Sequence, residues 1–296
     1  MTSHPIIFDR AHVRRMQTRA ALKLADHNFL IDWNLKLLIE RLADIKRTYP
    51  RTLLIGGRAS PEVITSLMNA GQIEDLVMMD MSPIYEPDVC ADEEHLPFAP
   101  GTFDLIVSPF SLHHVNDVPG ALIQIRRALK PDGLMLAAFP GGESLIELRQ
   151  SFMKAEIEHR QGARMRVHPF IDKQQAAGLL QRGGYALPVV DSERLVVTYD
   201  NAFRLMQDLR HMGETNSLQL RDRAFTGKNL MLEMAKAYQA EFSEADGRIR
   251  ATFEMIFLSG WAPHESQQQP LRPGSAQNRL AEALGTEEIG TGERAR

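Results

Sequence analysis

Two kinds of apolar spacing alternate along the chain. Over residues 28–49 the apolar side chains recur every three or four positions, which predicts an amphipathic helix that Tyr49 and Pro50 end. From residue 52 onwards, short continuous apolar runs end in glycine or acidic residues, and helical spacing returns between them. Continuous runs are typical of strands buried on both faces, so the pattern predicts a parallel sheet covered by helices.

The first part of this sheet is predicted to have five strands. They cover residues 52–55, 76–79, 88–91, 103–108 and 134–139. A helix is predicted from Ser60 to Gly71, because a cap residue, a first-turn proline and an acid open it. A second helix is predicted over 119–129, with Pro131, Asp132 and Gly133 as its stop.

The rest of the chain is predicted to be mainly helical. Helices are expected over 144–160, 173–181, 201–212 and 230–242. Two strands are expected over 186–190 and 194–198, where they would close the sheet as a hairpin. Residues 249–258 are expected to form either a strand or a helix. The composition then shifts to Pro, Gln, Ser, Gly and Glu, and we expect residues 274–296 to be a mobile tail. The resulting domains are an N-terminal helical arm (1–50), an α/β domain (51–200), a helical cap packed on the same domain (201–262) and a C-terminal tail (263–296).

Charge and cysteine content exclude several classes of protein. The 34 Lys and Arg against 38 Asp and Glu give a formal net charge of −4, whereas a nucleic-acid binder needs a basic face. The single cysteine, Cys90, excludes an internal disulfide and the cysteine-rich metal and redox motifs. No apolar run reaches the roughly 18–20 residues of a membrane-spanning helix.

The first twenty residues bear on the location of the protein. They contain four arginines and one aspartate but no apolar core of a secretory signal. We therefore expect the bacterial cytosol. An arginine-rich, acid-poor start is also typical of organelle transit peptides, so the mitochondrial matrix is the alternative.

Glycine or acidic residues follow each of the first three predicted strands. Gly56 and Gly57 follow the first strand, Asp80 the second, and Asp92 and Glu93 the third. Ligands of open parallel sheets bind at the carboxyl ends of strands, where an acid after the second strand can accept hydrogen bonds from ribose hydroxyls. An acid after the third strand can accept from an adenine amine. Each feature alone also fits a plain turn or a solvated acid, but together they predict a nucleoside site.

Other candidate groups are less specific. His113 is the candidate general base, because an imidazole titrates near neutral pH. Adjacent histidines cannot share a face of a strand or helix, so no metal site is predicted, and a triad of His113, His114 and Asp117 is the remote alternative. Glu143 and Glu147 are four residues apart on a predicted helix, so they could orient a guanidinium or simply form a solvated face. The Met- and Phe-rich C-terminal helices indicate core packing or an adaptable docking surface.

Several motifs resemble a known family. Residues 53–139, above all VCADEEHLPFAPGTFDLIVSPFSLHHVNDVPGALIQIRRALKPDGLML, look like the type 11, BioC-like group of class I S-adenosylmethionine-dependent methyltransferases. Four further motifs are similar to the mitochondrial complex I assembly factor 5 family and its α-proteobacterial relatives: FDRAHVRRMQTRAA, FPGGESLIELR, DLRHMGETN and GWAPHESQQQPLRPGSA. The likeness covers nearly all of residues 7–284.

The resemblance implies a fold, a cofactor and a substrate. The fold is a Rossmann-like, mostly parallel seven-stranded sheet flanked by helices, with added N- and C-terminal helices. The cofactor is S-adenosylmethionine, with Asp80 at its ribose and with these residues forming its site: Gly56, Gly57, Asp80, Met81, Asp92, Glu93 and Ser108. The substrate is a protein subunit of respiratory complex I, which allows a peripheral association with that membrane complex. Family members hydroxylate an arginine, whereas relatives in biotin synthesis methylate a malonyl thioester.

Two departures from the family pattern keep rival functions open. The first motif, D-x-G-x-G-x-G in the family, is LLIGGRAS here, with neither the acid nor the third glycine, and the family's Leu-His-Trp is Leu112-His113-His114. A methyltransferase, an arginine hydroxylase and a non-catalytic assembly factor without cofactor all remain compatible with this sequence. An NAD-dependent oxidoreductase is disfavoured, because the pyrophosphate-binding glycine loop is missing.

Overall fold

A computed structural model describes residues 6–160, 162, 164–268 and 285–286. The strands are β1 (Arg51–Ile55), β2 (Asp75–Asp80), β3 (Val89–Cys90), β4 (Phe103–Ser108), β5 (Leu129–Pro140), β6 (Ala186–Tyr199) and β7 (Ile249–Trp261). The helices are α1 (Arg10–Leu24), α2 (Phe29–Ala43), α3 (Pro61–Gly71), α4 (Val118–Ala128), α5 (Ile146–Arg160), α6 (Lys173–Gly183), α7 (Ala202–His211) and α8 (Lys228–Phe242).

The strands form one sheet in the order β3-β2-β1-β4-β5-β7-β6. Strands β1 to β5 are parallel to one another, and β7 pairs antiparallel with β5 and with β6. Leu53, Leu54 and Ile55 of β1 are completely buried, because helices cover both faces of the sheet. The expected mostly parallel seven-stranded sheet is confirmed, and its order changes direction between β1 and β4.

The C-terminal edge of the sheet differs from the sequence prediction. The expected hairpin over 186–198 is wrong, since β6 is one continuous strand paired with β7 from Ala186 to Tyr199. Its polar residues 191–193, which suggested a turn, lie on an edge strand where side chains reach solvent. Residues 249–258 are part of strand β7. The sheet therefore continues beyond residue 200, where the sequence analysis placed the boundary between the α/β domain and the helical cap.

The junction between α4 and β5 also differs. Helix α4 ends at Ala128, within one residue of the predicted end, but β5 begins immediately at Leu129 instead of at the predicted residue 134. Leu129 pairs with Phe103, but the next pair is Leu134 with Leu105, so the residues between them bulge out of the ladder. Asp132 adopts a left-handed backbone conformation there (φ 61°), which lets the bulge turn back into the sheet.

The N-terminal segment is held across the carboxyl ends of the strands. The amides of Ile7 and Phe8 both donate to the side-chain oxygen of Asn116, at 2.8 and 2.7 Å. Asp9 caps α1 by accepting from the amide of His12 at 2.9 Å. Helix α1 therefore begins directly above the edge of the sheet at which the sequence places its candidate site.

The structure divides into two compact units, residues 1–263 and 264–296. In the second unit the amide of His264 donates to the side chain of Gln267 at 3.2 Å. The mobile tail expected over 274–296 lies outside the described residues, apart from 285 and 286. None of the helices in the described ranges is long and apolar enough to cross a bilayer.

Candidate functional site

Asp80, at the carboxyl end of β2, is buried with 4% of its side chain exposed. Its Oδ1 accepts a hydrogen bond from the amide of Ser82 at 2.8 Å. Its Oδ2 lies 3.5 Å from Nε of Arg58. Burial raises the pKa of Asp80, while the charge of Arg58 opposes that rise. The carboxylate that the sequence assigns to a ribose is thus already paired within the chain.

Arg58 belongs to the loop that follows Gly56 and Gly57. Gly56 has a φ of +74°, and a Cβ there would lie 3.3 Å from Cβ of Ser111, so this position requires glycine. The turn sends the Arg58 side chain inward, where only 1% of it is exposed and one terminal nitrogen donates to the carbonyl of Phe110 at 3.0 Å. Its Nε and the other terminal nitrogen are buried without a hydrogen-bond partner.

A second arginine, Arg10 at the start of α1, forms ion pairs with the acidic residues that follow β3. Its guanidinium donates to both oxygens of Asp92, at 2.6 and 3.1 Å, and to the carboxylate of Glu93. It also donates to the carbonyl of His114 at 3.0 Å. Burial raises the pKa of Glu93; for Asp92, burial acts in the same direction but the Arg10 hydrogen bond outweighs it, so the pKa of Asp92 is lowered.

These pairings decide whether S-adenosylmethionine fits. An adenosyl group needs free acceptors at the strand ends and backbone that it can approach closely. Here Asp80 and Glu93 are paired with guanidinium groups of the chain itself, and the buried Arg58 side chain lies between Asp80 at the end of β2 and the carbonyl of Phe110 after β4. With Arg58 and Arg10 in these positions, the residues present do not fit the cofactor.

The other predicted cofactor residues lie on the same edge of the sheet. Met81 is 6% exposed, and Ser108, at 1%, shares a 2.7 Å hydrogen bond with the hydroxyl of Ser111. Of the two predicted carboxylates, Glu147 lies in the first turn of α5 and Glu143 precedes the helix, and each forms an ion pair with an arginine of the chain. Glu147 is buried and accepts from the hydroxyl of Thr252 at 2.6 Å, whereas Glu143 is exposed and pairs with Arg194 at 2.8 Å. Both acids therefore serve local structure.

The two adjacent histidines converge on one acid. They lie on a single 3-10 turn, Leu112–His114, directly after β4, and their ring centroids are 4.1 Å apart. Nε2 of His113 is 2.8 Å from Oε2 of Glu214, and Nε2 of His114 is 3.6 Å from the same oxygen. The argument that adjacent histidines cannot share a face of a strand or helix does not apply to this short 3-10 turn, in which the two ring planes are 43° apart.

This cluster of His113, His114 and Glu214 (the His–His–Glu cluster) is buried. The two histidine side chains are each 2% exposed and the glutamate 9%. Burial holds the pKa of His114 well below its usual value. Burial would raise the pKa of Glu214, but the charge and hydrogen bond of His113 outweigh it, so Glu214 stays ionised. Asp117, the acid proposed from the sequence, instead caps α4 by accepting from the amide of Gly120 at 2.9 Å.

A further histidine, His168, completes this part of the interior. Its Nε2 accepts from the amide of Ser217 at 2.9 Å, and its ring lies edge-on to His114 with centroids 5.0 Å apart. Burial lowers its pKa to about 4. His168 is therefore neutral at physiological pH and fixes the loop that carries Glu214.

Two cavities border the His–His–Glu cluster. One of about 430 Å³ is largely apolar and has His113 in its wall, together with Phe8, Val115, Phe139, Phe170 and Arg182. A smaller one of about 60 Å³ reaches Glu214 and His168. Neither of these two cavities is lined by Asp80 or Asp92; His113 lines the larger one, and His168 and Glu214 line the smaller one.

Known proteins with similar sequences define the family. Residues 53–137 match the methyltransferase domain family. The chain is 35% identical over 283 residues to the zebrafish (Danio rerio) protein named arginine-hydroxylase NDUFAF5, mitochondrial, and the match covers 91% of this chain and 87% of that protein. The chain belongs to the NDUFAF5 family. It is also 37% identical over 186 residues to a malonyl-[acyl-carrier protein] O-methyltransferase of Laribacter hongkongensis, which covers 63% of this chain and 60% of that enzyme.

Solved structures agree with this NDUFAF5-family chain in fold. A candidate methyltransferase of Bacillus halodurans superimposes with a TM-score of 0.51 at 16% identity, over 78% of this chain and 99% of that one. At this identity the likeness shows the fold alone. The chain therefore has a methyltransferase fold, and its chemistry has to be argued from its own residues.

Three residues of the candidate site, Arg10, Arg58 and Glu214, were not predicted from the sequence. Arg10 and Arg58 lie in motifs that were recognised, but their partners are distant in the sequence, so the pattern gave no sign of the ion pairs. Glu214 lies in DLRHMGETN, one of the motifs by which the NDUFAF5 family is recognised outside the methyltransferase domain. That motif was the available signal, since a segment specific to one family, rather than to the fold, is where a family-specific site residue belongs.

Proposed function

We propose that this NDUFAF5-family chain modifies an arginine side chain of a protein subunit of respiratory complex I, and that the reaction takes place at the His–His–Glu cluster. The observation that carries the proposal is that the cluster and the 430 Å³ cavity meet at His113. A substrate side chain in that cavity would end next to the imidazole of His113, whose Nε2 is 2.8 Å from the buried carboxylate of Glu214.

The chemistry of the cluster suits a cationic substrate. The lowered pKa of Glu214 keeps a negative charge in the interior, and a buried carboxylate forms strong, charge-assisted hydrogen bonds with a guanidinium. Apolar walls such as Val115, Phe139 and Phe170 can cover the methylene stem of an arginine, as the stems of long cationic side chains pack on apolar surface.

Hydroxylation is the reaction that the name of the zebrafish relative, an arginine-hydroxylase, supports. It replaces a C–H bond by C–OH, so a co-substrate of the dioxygen-plus-reductant class must supply the oxygen atom and electrons. This chain contributes substrate binding, exclusion of water and positioned imidazoles. No step of it requires the predicted adenosyl site, which Arg58 and Arg10 fill.

Methyl transfer from S-adenosylmethionine is the second candidate. The match to the methyltransferase domain and the position of Gly56, Asp80, Met81 and Ser108 at the strand ends favour it. It requires the Arg58 side chain to leave Asp80, and α1 to release Asp92 and Glu93. A non-catalytic assembly role is the third candidate, favoured by the same two arginines.

Mass spectrometry of complex I subunits separates these candidates. Arginine peptides would be compared between cells that carry the wild type, the Glu214→Gln variant and the control His27→Gln, in which a histidine–carboxylate pair outside the cluster is altered. The gain of one oxygen on an arginine in wild-type and control cells but not in Glu214→Gln cells supports the proposal. The gain of one methyl group supports the second candidate, and normally assembled but unmodified complex I in all three strains contradicts both.

The proposed location of the protein follows from its proposed substrate, a subunit of complex I. We propose the bacterial cytosol, at the membrane surface where complex I subunits assemble, with the mitochondrial matrix as the alternative because the zebrafish relative is named mitochondrial. Fractionation of cells, followed by detection of the chain in the soluble, peripheral or integral membrane fraction, tests the peripheral association.

A further inference from the structure

We propose that His113, His114 and Glu214 bind a divalent first-row transition-metal ion. The inference rests on the proposed function only in placing the metal at the reaction centre; the geometry of the three side chains carries it independently.

The first observation is the convergence of the ligand atoms. Each of the three residues offers one donor atom, and all three donors lie within 4.8 Å of one another. Oε2 of Glu214 is 2.8 Å from Nε2 of His113 and 3.6 Å from Nε2 of His114. Imidazole and carboxylate ligands lie about 2.0–2.2 Å from a bound metal, so neighbouring ligands are about 3.0–3.5 Å apart and the most distant donors need to approach by about 1 Å, which side-chain rotation can supply.

The second observation is the number of buried polar atoms that lack a hydrogen bond. Nδ1 of His113, Nε2 of His114 and Oε1 of Glu214 are all buried without a partner. Buried polar atoms are paired in the large majority of cases, because an unpaired one costs about 1–3 kcal/mol. A plain histidine–glutamate ion pair accounts for one contact and leaves these atoms unexplained. A metal ion between the side chains would satisfy both the nitrogen of His114 and the carboxylate.

The charge balance also fits a cation. Arg58 and Arg10 are the nearest cations, but each is paired with a buried carboxylate, Asp80 and Glu93. The cluster itself contributes one carboxylate and two imidazoles, which are donor types that divalent transition-metal ions take. A metal would therefore add its charge to a site that already carries an anion.

The ligand set indicates the class of metal. Two imidazoles and one carboxylate suit Fe²⁺, Co²⁺, Ni²⁺ or Zn²⁺, and three protein ligands leave further coordination positions free. The free positions would face the 430 Å³ cavity, because His113 lies in its wall. Zinc-type structural sites are closed by a fourth protein ligand, whereas an open site on a cavity is the arrangement of a metal that meets a substrate.

Neighbouring groups hold the ligands in place. The carbonyl of His114 accepts from Arg10 at 3.0 Å, and the amide of Glu214 donates to the carbonyl of Leu209 at 2.7 Å. The Phe110 ring lies edge-on to His113 with centroids 4.8 Å apart. Because the backbones of two ligands are tied down, little conformational entropy is lost when the metal binds.

The test uses Co²⁺, whose visible absorption reports its ligands. The full-length protein, freed of metal by a chelator and gel filtration, would be titrated with CoCl₂ while absorbance is recorded, and the metal content would be measured after a second filtration. We expect one Co²⁺ per chain and a rise of the unfolding temperature with Co²⁺ concentration. Glu214→Gln and His113→Gln should weaken binding beyond the roughly 10- to 100-fold that loss of an outer partner costs.

The control is His27→Gln, which changes another histidine paired with a carboxylate but should leave Co²⁺ binding unchanged. Circular dichroism confirms that each variant is folded, and Glu214→Gln preserves the shape of the side chain. Absence of Co²⁺ bands in the wild type, or unchanged affinity in both folded ligand variants, would overturn the proposal. No substrate is present in this titration, so its failure and the failure of the proposed arginine modification are separate results.

Discussion

Arg58 and Asp80 face each other in the interior, with Nε of Arg58 3.5 Å from Oδ2 of Asp80 and with 1% and 4% of the two side chains exposed. This pair includes the carboxylate that the sequence resemblance assigns to the ribose of S-adenosylmethionine. The arginine follows Gly56 and Gly57 directly, so this turn supplies one of the two arginines, Arg58 and Arg10, that pair with the acids at the strand ends.

Replacing Arg58 by glycine should therefore create or strengthen binding of S-adenosylmethionine. Removal of the side chain frees Asp80 and the space next to Phe110, while the wild type should show little heat on titration with the cofactor. Isothermal titration calorimetry measures the difference. Arg58→Lys is the control, because it keeps a cation beside Asp80. Tight binding by the wild type, or none by a folded Arg58→Gly variant, would show that this pair does not close the site.

Replacing Arg10 by methionine should destabilise the protein by about 3 kcal/mol, because removal of one partner leaves buried carboxylates unpaired. Glu93 loses its cation, and α1 loses its tie to the acids after β3. Urea denaturation measures the change in the free energy of unfolding. Arg14→Met, on the exposed face of the same helix, is the control and should cost less than about 0.5 kcal/mol. Addition of Glu93→Gln to Arg10→Met should restore part of the loss, and equal costs of the two arginine variants would contradict the argument.

The buried histidine His168 should make stability fall with acid. Its pKa is lowered to about 4, so between pH 6.5 and 4 the unfolded chain binds a proton that the folded chain does not. The contribution of neutral His168 to the free energy of unfolding is fully present above pH 6.5. It decreases by about 3 kcal/mol as the pH falls from 6.5 to 4. The pKa values of Asp80 and Glu93 are raised, so these two acids make the folded state more stable as the pH falls, which opposes the effect of His168. The pH dependence of wild-type stability alone therefore does not isolate the contribution of His168.

The difference between wild type and His168→Gln isolates this contribution. The glutamine can still accept from the Ser217 amide but does not titrate, so its free energy of unfolding should fall less between pH 6.5 and 4 than that of the wild type. His95→Gln, at an exposed histidine, is the matched control and should follow the wild-type curve. A His168→Gln curve parallel to that of the wild type would contradict the assignment of a neutral, buried imidazole.

Gly260 in β7 should not tolerate a side chain. A Cβ there would lie 2.9–3.0 Å from three atoms of Tyr185, whose hydroxyl is fixed by donating to the carbonyl of Leu122 at 2.8 Å. We expect Gly260→Ala to cost about 1–3 kcal/mol, measured by thermal or urea unfolding. Gly178→Ala, inside α6 with nothing near its Cβ, should instead stabilise the protein by about 0.5–1 kcal/mol. A neutral Gly260→Ala variant would show that the Tyr185 ring moves freely.

The parallel half of the sheet could be predicted because its strands are continuous apolar runs. Strands β1, β2 and β4 were found within one residue of their ends, since burial on both faces leaves a local sequence signal. Strand β6 gave no such signal. Its residues alternate between half-buried and exposed, and the polar run 191–193 looks like a turn until the partner strand β7 is known.

The candidate site was predictable in position but not in its contacts. The strand ends identified Asp80, Asp92 and Glu93, because parallel strands bring their carboxyl ends to one edge. The partners of these acids depend on tertiary structure: Arg10 reaches Asp92 across 82 residues, and Glu214 reaches His113 across 101. No local period connects residues so far apart, so the histidine cluster emerges only from the folded chain.

The placement of β7 between β5 and β6 has a consequence for synthesis on the ribosome. Strand β5 ends at Pro140, but the strand that covers its free edge begins at Ile249. Until that segment emerges, the nascent chain presents an unpaired, wholly apolar edge over 134–139, which is the kind of surface that recruits other strands. Premature termination anywhere between these two strands would leave the same edge open, so shortened products of this chain are candidates for aggregation and for capture by chaperones rather than for partial function.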